Sequence, residues 1–220
     1  MKIPDGAVLP GLFMGNFFCL IPNTNFAFVV VSKNSCSFLK KVAIFNKTGD
    51  WMESVEQTHK TIGFTDKSGY LVPVNEIDNY EKENGKLIKF TVWRDPVERF
   101  VSTYKYFCIE KEYRTYFHYL NLHTDCGFGR FLEFATFELG KKDPLSQDEH
   151  IRRQSDFYSP GAVDHIVPIS GLNDFLHRYS IPFRKERSNR TETRFEIDSK
   201  EHLDLIKELY KPDFAIQPSC

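Results

Sequence analysis

The sequence predicts an α/β fold, a single domain over residues 1–220 with a central parallel sheet flanked by helices. Three near-continuous apolar runs, Phe26–Val31, Leu87–Trp93 and Val163–Ile169, read as strands of the kind found where both faces of a parallel sheet are covered. After the second run, Val97, Phe100, Val101 and Tyr104 fall at i, i+3, i+4 and i+7, and Leu172, Phe175, Leu176 and Tyr179 repeat that spacing after the third. Strand followed by helix, repeated, produces right-handed crossovers between parallel strands. Composition agrees with a packed core, since 41% of the 220 residues are hydrophobic and 15% aromatic.

Taken in order, the first apolar stretch, Leu12–Ile21, is too short to cross a bilayer and lacks the basic flank of a signal peptide. A soluble chain without a transmembrane segment is therefore expected. The run from Phe26 stops at Lys33 among small polar residues, and a helix beginning there aims unpaired N–H groups and its positive dipole end at the turn. Lys33 adds a cation, and Ser35 and Ser37 add hydroxyls. The glycines and Lys-Ser/Thr pair of a Walker A loop are missing, which argues against an ordinary nucleotide triphosphatase. By itself such a turn also reads as a solvated connection.

The second turn carries more information. Asp95 suits an N-cap, Pro96 the first helical position and Glu98 the third, so the helix start is specified by a capping box with a proline behind the cap. Arg94 stands at the carboxyl end of the strand, and Ser102 lies on the helix face that begins at Asp95. Arg94 either pairs with Asp95 or Glu98, which is worth little on a surface, or joins Ser102 in holding an anion. With the Lys33 turn, that second option grips two phosphates of one nucleotide, an arrangement suited to a transferase.

Residues 105–160 are rich in aromatics, among them Tyr104 and Tyr106 at their edge, Phe107, Tyr113, Tyr116, Phe117 and Tyr119, and are expected to form helices and loops covering a cleft. Ser199–Tyr210 reads as a surface helix stopped near Pro212, docking Leu203, Ile206 and Tyr210 on the sheet. The formal net charge of −1 supplies no field to attract nucleic acid or an acidic membrane, so an anion must be held locally. Cys19, Cys36, Cys108, Cys126 and Cys220 are dispersed without a C-x-x-C pair, a pattern for neither a zinc site nor a disulfide framework.

The segment Lys33–Lys40 followed by Arg94-Asp95-Pro96-Val97-Glu98-Arg99-Phe100-Val101-Ser102 resembles the two nucleotide motifs of the sulfotransferase 2 family, the membrane-associated carbohydrate sulfotransferases. Asp148-Glu149-His150-Ile151-Arg152-Arg153-Gln154-Ser155 is similar to the family's H-W-x-P-Q segment, and Tyr210-Lys211-Pro212-Asp213-Phe214 to its closing Y-x-x-D-F. The likeness runs from about residue 26 to 214. It departs from the pattern at Ser32 (usually Pro), Phe38 (near a usual Trp), Ile151 (Trp) and Arg153 (Pro).

The resemblance implies a P-loop-NTPase-like sulfotransferase architecture, with 3′-phosphoadenylyl sulfate (PAPS) as cosubstrate, adenosine 3′,5′-bisphosphate (PAP) as product and no metal. Lys33, the Asn34, Ser35, Cys36, Ser37 and Phe38 backbone amides and the Ser35 and Ser37 hydroxyls would then hold the 5′-phosphosulfate, and Arg94 with Ser102 the 3′-phosphate. The acceptor would be a hydroxyl, most plausibly of a carbohydrate, with a sterol, phenol or other small alcohol as the near alternative. A Mg·ATP-dependent kinase and a non-catalytic nucleotide- or glycan-binding protein are the other classes. A histidine base is expected: His59, about 26 residues beyond Lys33, or His150 in the third motif. His118, His123, His165, His177 and His202 have weaker cases. Arg184–Thr191 is either a solvated basic loop or a flap supplying Ser188 or Arg190. Asn46-Lys47-Thr48 and Asn189-Arg190-Thr191 match glycosylation sequons, which matter only in a secretory compartment. The expected location is cytoplasmic, or the Golgi lumen if an N-terminal anchor has been removed.

Overall fold

The structure, a computed structural model, describes residues 15–63, 68–110, 127–185, 195–216 and 218. The strands are β1 (Phe17–Ile21), β2 (Phe26–Val29), β3 (Leu71–Pro73), β4 (Ile88–Trp93) and β5 (His165–Pro168). The helices are α1 (Cys36–Thr48), α2 (Val55–Ile62), α3 (Ile77–Asn84), α4 (Pro96–Tyr104), α5 (Phe128–Leu139), α6 (Leu172–Arg178), α7 (Lys200–Leu209) and the short α8 (Lys211–Phe214).

The strands form one sheet in the order β3-β1-β2-β4-β5, and it is mixed. The expected parallel pairing holds for β2 with β4 and β4 with β5. The half made by β1 and β3 is antiparallel. The connection explains why: only residues 22–25 separate β1 from β2, too few for a crossover. They close a hairpin in which Thr24 Oγ1 donates to the Ile21 carbonyl at 2.6 Å and accepts from the Phe26 amide at 3.1 Å. Phe17–Ile21, the end of that apolar stretch, is thus an internal strand, with Phe18 and Cys19 fully buried.

Alternation in β2 divides the core. Phe26 and Phe28 face one side with Phe90, Phe38, Leu39 and Phe175, while Ala27 and Val29 face the other with Phe18, Ile77 and Phe157. This two-sided burial is the reason β2 reads as an unbroken apolar run. α1 stops where Gly49, at φ 79°, takes a left-handed C-cap and donates its amide to the Phe45 carbonyl at 2.8 Å.

A separate apolar cluster joins α4, α5 and α7 through Phe100, Tyr104, Phe107, Phe131, Leu132, Ile206 and Tyr210. α7 therefore docks on α4 and α5, not on the sheet. Tyr104 and Phe107 are packed against Phe131, so they belong to this core and do not line a cleft. Tyr113, Tyr116, Phe117 and Tyr119 lie outside the described residues. The C-terminal helix ends at Leu209 and restarts at once, with Pro212 in the first turn of α8. No described helix is long and apolar enough to cross a membrane.

Candidate functional site

Because β2 and β4 are parallel neighbours, registered Phe26↔Ile88, Ala27↔Lys89 and Phe28↔Phe90, the chain leaves both at the same sheet edge. The two turns singled out in the sequence are therefore side by side, at the carboxyl edge where open α/β sheets bind ligands.

The first turn folds without glycine. Lys33 and Ser35 instead adopt left-handed backbone, at φ 68° and 61°, a conformation costing roughly 1–2 kcal/mol for a residue with a Cβ. Ser35 stands at the N-cap of α1 without a side-chain capping bond, and Leu39 is the residue whose amide reaches back to the Ser35 carbonyl, at 3.0 Å. The amides of Cys36, Ser37 and Phe38 thus belong to the first turn of the helix, which has no partner for them within the helix. They face the turn with the positive end of the dipole. Phe38 itself is a core side chain. Asn34 differs from expectation: its amide donates to the Val31 carbonyl at 3.3 Å and its side-chain Nδ2 to the Val92 carbonyl at 2.7 Å, so Asn34 ties the turn to the end of β4.

The second turn starts α4 as the sequence indicates. The Asp95 carboxylate accepts from the Val97 amide at 2.9 Å and the Glu98 amide at 3.0 Å, with Pro96 at N1. Glu98 does not complete a capping box; its carboxylate lies 3.8 Å from Arg94 Nε in a partly exposed pair. Arg94 also turns toward the first loop, Nη1 donating to the Lys33 carbonyl at 3.2 Å. Its Nε is buried without a hydrogen-bond partner among the described residues. Ser102, half-buried, sits one turn beyond Glu98 on the same side of α4.

The two histidine candidates meet at this edge. His59, on α2, has Nε2 at 3.1 Å from the Ser37 hydroxyl in the first turn of α1. Burial, reinforced by the charges of Lys40 and His150, pulls its pKa down to about 4, so the imidazole is neutral at physiological pH. His150 holds Nδ1 3.2 Å from Asp148 Oδ1 and packs beside Tyr106 and Phe107. Lys33 carries its ammonium 4.0 Å above the centre of the Tyr106 ring, a cation–π contact. Burial lowers the Lys33 pKa to about 8, against the opposing influence of Cys36 and Glu110. Tyr106 belongs to a π-helical turn, Lys105–Ile109, that continues α4, an irregularity frequent at functional sites.

Arg99 of the second motif and side chains of the third and fourth, to which the sequence assigned no role, lock the two turns together. Arg99 is 1% exposed, and its guanidinium donates to the carbonyls of Ser32 at 3.0 Å, Arg152 at 2.9 Å and Glu149 at 3.2 Å. The Gln154 side chain bonds both turns. Asp213, fully buried, accepts the amides of Gln154 at 2.8 Å and Ser155 at 2.9 Å, and Tyr210 Oη donates to the Ile151 carbonyl at 2.6 Å. The only advance signal for these residues was membership of the recurring motifs; nothing local distinguished Arg99 from an exposed helix arginine. Ser188 and Arg190 lie outside the described residues. The sequon at Asn46 falls within α1, where its Nδ2 donates to the carbonyls of Val42 and Pro182, each at 2.8 Å.

Comparison with known protein families yields a match to the model of the sulfotransferase family over residues 17–167, more than half of the chain. The matched span includes the Lys33 and Arg94 turns, His59 and the segment from His150 to Gln154. Neither a curated protein nor a solved structure gives a significant match.

Proposed function

The chain belongs to the sulfotransferase family, and from that premise we propose that it transfers a sulfuryl group from PAPS to a hydroxyl of a carbohydrate acceptor, with His59 as general base. The observation that carries this reading is the Arg94 guanidinium on the Lys33 carbonyl, at 3.2 Å, which joins the two candidate anion-binding turns at one sheet edge. A nucleotide with phosphates at both ends of its ribose can bridge them.

The residues fit PAPS. Lys33 and the amides of Cys36 to Phe38 present positive groups to a 5′-phosphate, and the Arg94 guanidinium, whose Nε makes no hydrogen bond among the described residues and lies 3.8 Å from Glu98, presents one to a 3′-phosphate. PAPS supplies an activated sulfuryl group bonded to its 5′-phosphate. His59, a neutral imidazole, accepts the acceptor hydroxyl's proton as the acceptor oxygen bonds to sulfur. Lys33 and the helix amides hold the charge left on the phosphate oxygen when the sulfur–oxygen bond breaks, a role whose loss typically costs about 10²- to 10³-fold in rate. The pairing of His150 with Asp148 fixes a second imidazole near the same cleft, suited to orienting the acceptor. The hydrogen-bonding groups of His59 and of His150 with Asp148 suit a polyhydroxylated acceptor.

Calorimetry tests the reading. PAP is expected to bind without added metal, and Arg94→Ala to weaken PAP by about 10- to 100-fold while leaving adenosine 5′-phosphate within a few-fold. Binding of Mg·ATP alone, or equal weakening of the two nucleotides, would overturn it.

A further inference from the structure

We infer that Gln154 is a positioning residue that sets the spacing of the two phosphate turns, and so lets one nucleotide engage both. The inference rests on the proposed use of PAPS. Gln154 is 1% exposed and lies within hydrogen-bond reach of both turns at once. Its Oε1 accepts from Asn34 Nδ2 on the first turn and from the Arg94 amide, at 3.0 Å, on the second. Its Nε2 donates to the Arg94 carbonyl at 2.9 Å. The side-chain amide therefore reads both backbone groups of Arg94 as a neighbouring strand would, and both lone pairs of Oε1 are used.

This grip has a fixed base. The Gln154 amide donates to Asp213 Oδ2 at 2.8 Å, and the next amide, of Ser155, to Oδ1 at 2.9 Å, so a buried carboxylate near the C-terminus holds the residue in place. Asn34 continues the linkage, since the same Nδ2 that reaches Gln154 also bonds the Val92 carbonyl at 2.7 Å. The partners of the Gln154 side chain are thus groups of the two turns themselves, residues 34 and 94, rather than an apolar core. A pure packing role would not require this placement.

The chemical consequence concerns ligands that touch both turns. A nucleotide with two phosphates gains its second contact intramolecularly, and that advantage vanishes when the subsites lose their relative geometry. A nucleotide with one phosphate has no such advantage to lose. Loss of Gln154 should therefore fall selectively on PAP.

The experiment compares the wild type with Gln154→Met, of similar volume but without hydrogen bonds, and Gln154→Glu, which keeps the acceptor and loses the donor. Calorimetry with PAP and with adenosine 5′-phosphate is paired with amide hydrogen exchange of the unliganded proteins and with a melting curve. Gln154→Met should weaken PAP by about 10- to 100-fold and adenosine 5′-phosphate by less than about 3-fold. Gln154→Glu should recover part of the loss, and exchange should quicken at residues 33–38 and 94–98 together. Equal weakening of both nucleotides, or exchange quickened in one turn alone, overturns the inference. Should Gln154→Met melt below the assay temperature, Gln154→Glu carries the same comparison, and an unchanged ratio of the two affinities overturns it. A wild type that fails to bind PAP defeats the proposed function instead, while paired exchange in the two turns would still support the mechanical coupling.

Discussion

Raising the pH should release PAP through Lys33. Burial holds the ammonium pKa at about 8 instead of 10.5, so near neutrality the side chain is still mostly charged. A bound 5′-phosphate favours the charged form and returns the pKa toward or beyond 10.5. The complex then retains a proton that the free protein gives up between those two values, so affinity declines as pH rises through this window. If the full difference of 10.5 against 8 is recovered, the decline approaches tenfold per pH unit and totals about 300-fold. The phosphates do not contribute, because their second ionisation, near pH 6, is complete below the window. Titrating PAP into the protein at intervals from pH 7 to 10 gives the profile. Lys33→Arg, whose guanidinium stays charged throughout, should flatten it whatever its absolute affinity. A level wild-type profile, or an equally steep one for Lys33→Arg, would refute the assignment of Lys33 to the phosphate.

His59→Ala should lower kcat by about 10²- to 10⁴-fold while leaving PAP affinity within about twofold; retention of half the wild-type kcat would remove His59 from catalysis. Since its pKa is lowered to about 4, the acid limb of kcat/KM set by His59 should lie near that value, and a proton NMR titration should show the imidazole rising once PAP adds negative charge. Arg99→Lys replaces a guanidinium that serves three backbone carbonyls by a point charge, and should cost about 3 kcal/mol, lowering Tm by roughly 6–12 °C. A shift under about 2 °C would show that the buried guanidinium does not hold these loops.

Much of the fold was legible because its signals are local. The runs at β2, β4 and β5 announce strands, of which β2 is buried on both faces, and Asp95-Pro96 announces a helix start that the Asp95 carboxylate caps as anticipated. β1 and β3 were not legible as strands. The first was weighed for membrane insertion, and the second is three residues long, too short to display a period. The docking of α7 was misjudged because its apolar face specifies only that something apolar covers it; α4 and α5 do so.

The sequence by itself determined which residues could meet an anion: Lys33 with small polar neighbours before a helix, and Arg94 before a capped one. Tertiary structure alone decided that they lie side by side, because parallel pairing of β2 with β4 brings their carboxyl ends to one edge. It also decided the work of Gln154, which lies 120 residues from Asn34 and 60 from Arg94, and of Arg99, which reaches Ser32 across 67. Bonds from a side chain to backbone groups so remote leave no period in the chain, since what fixes them is the position of carbonyls and amides after the strands have paired.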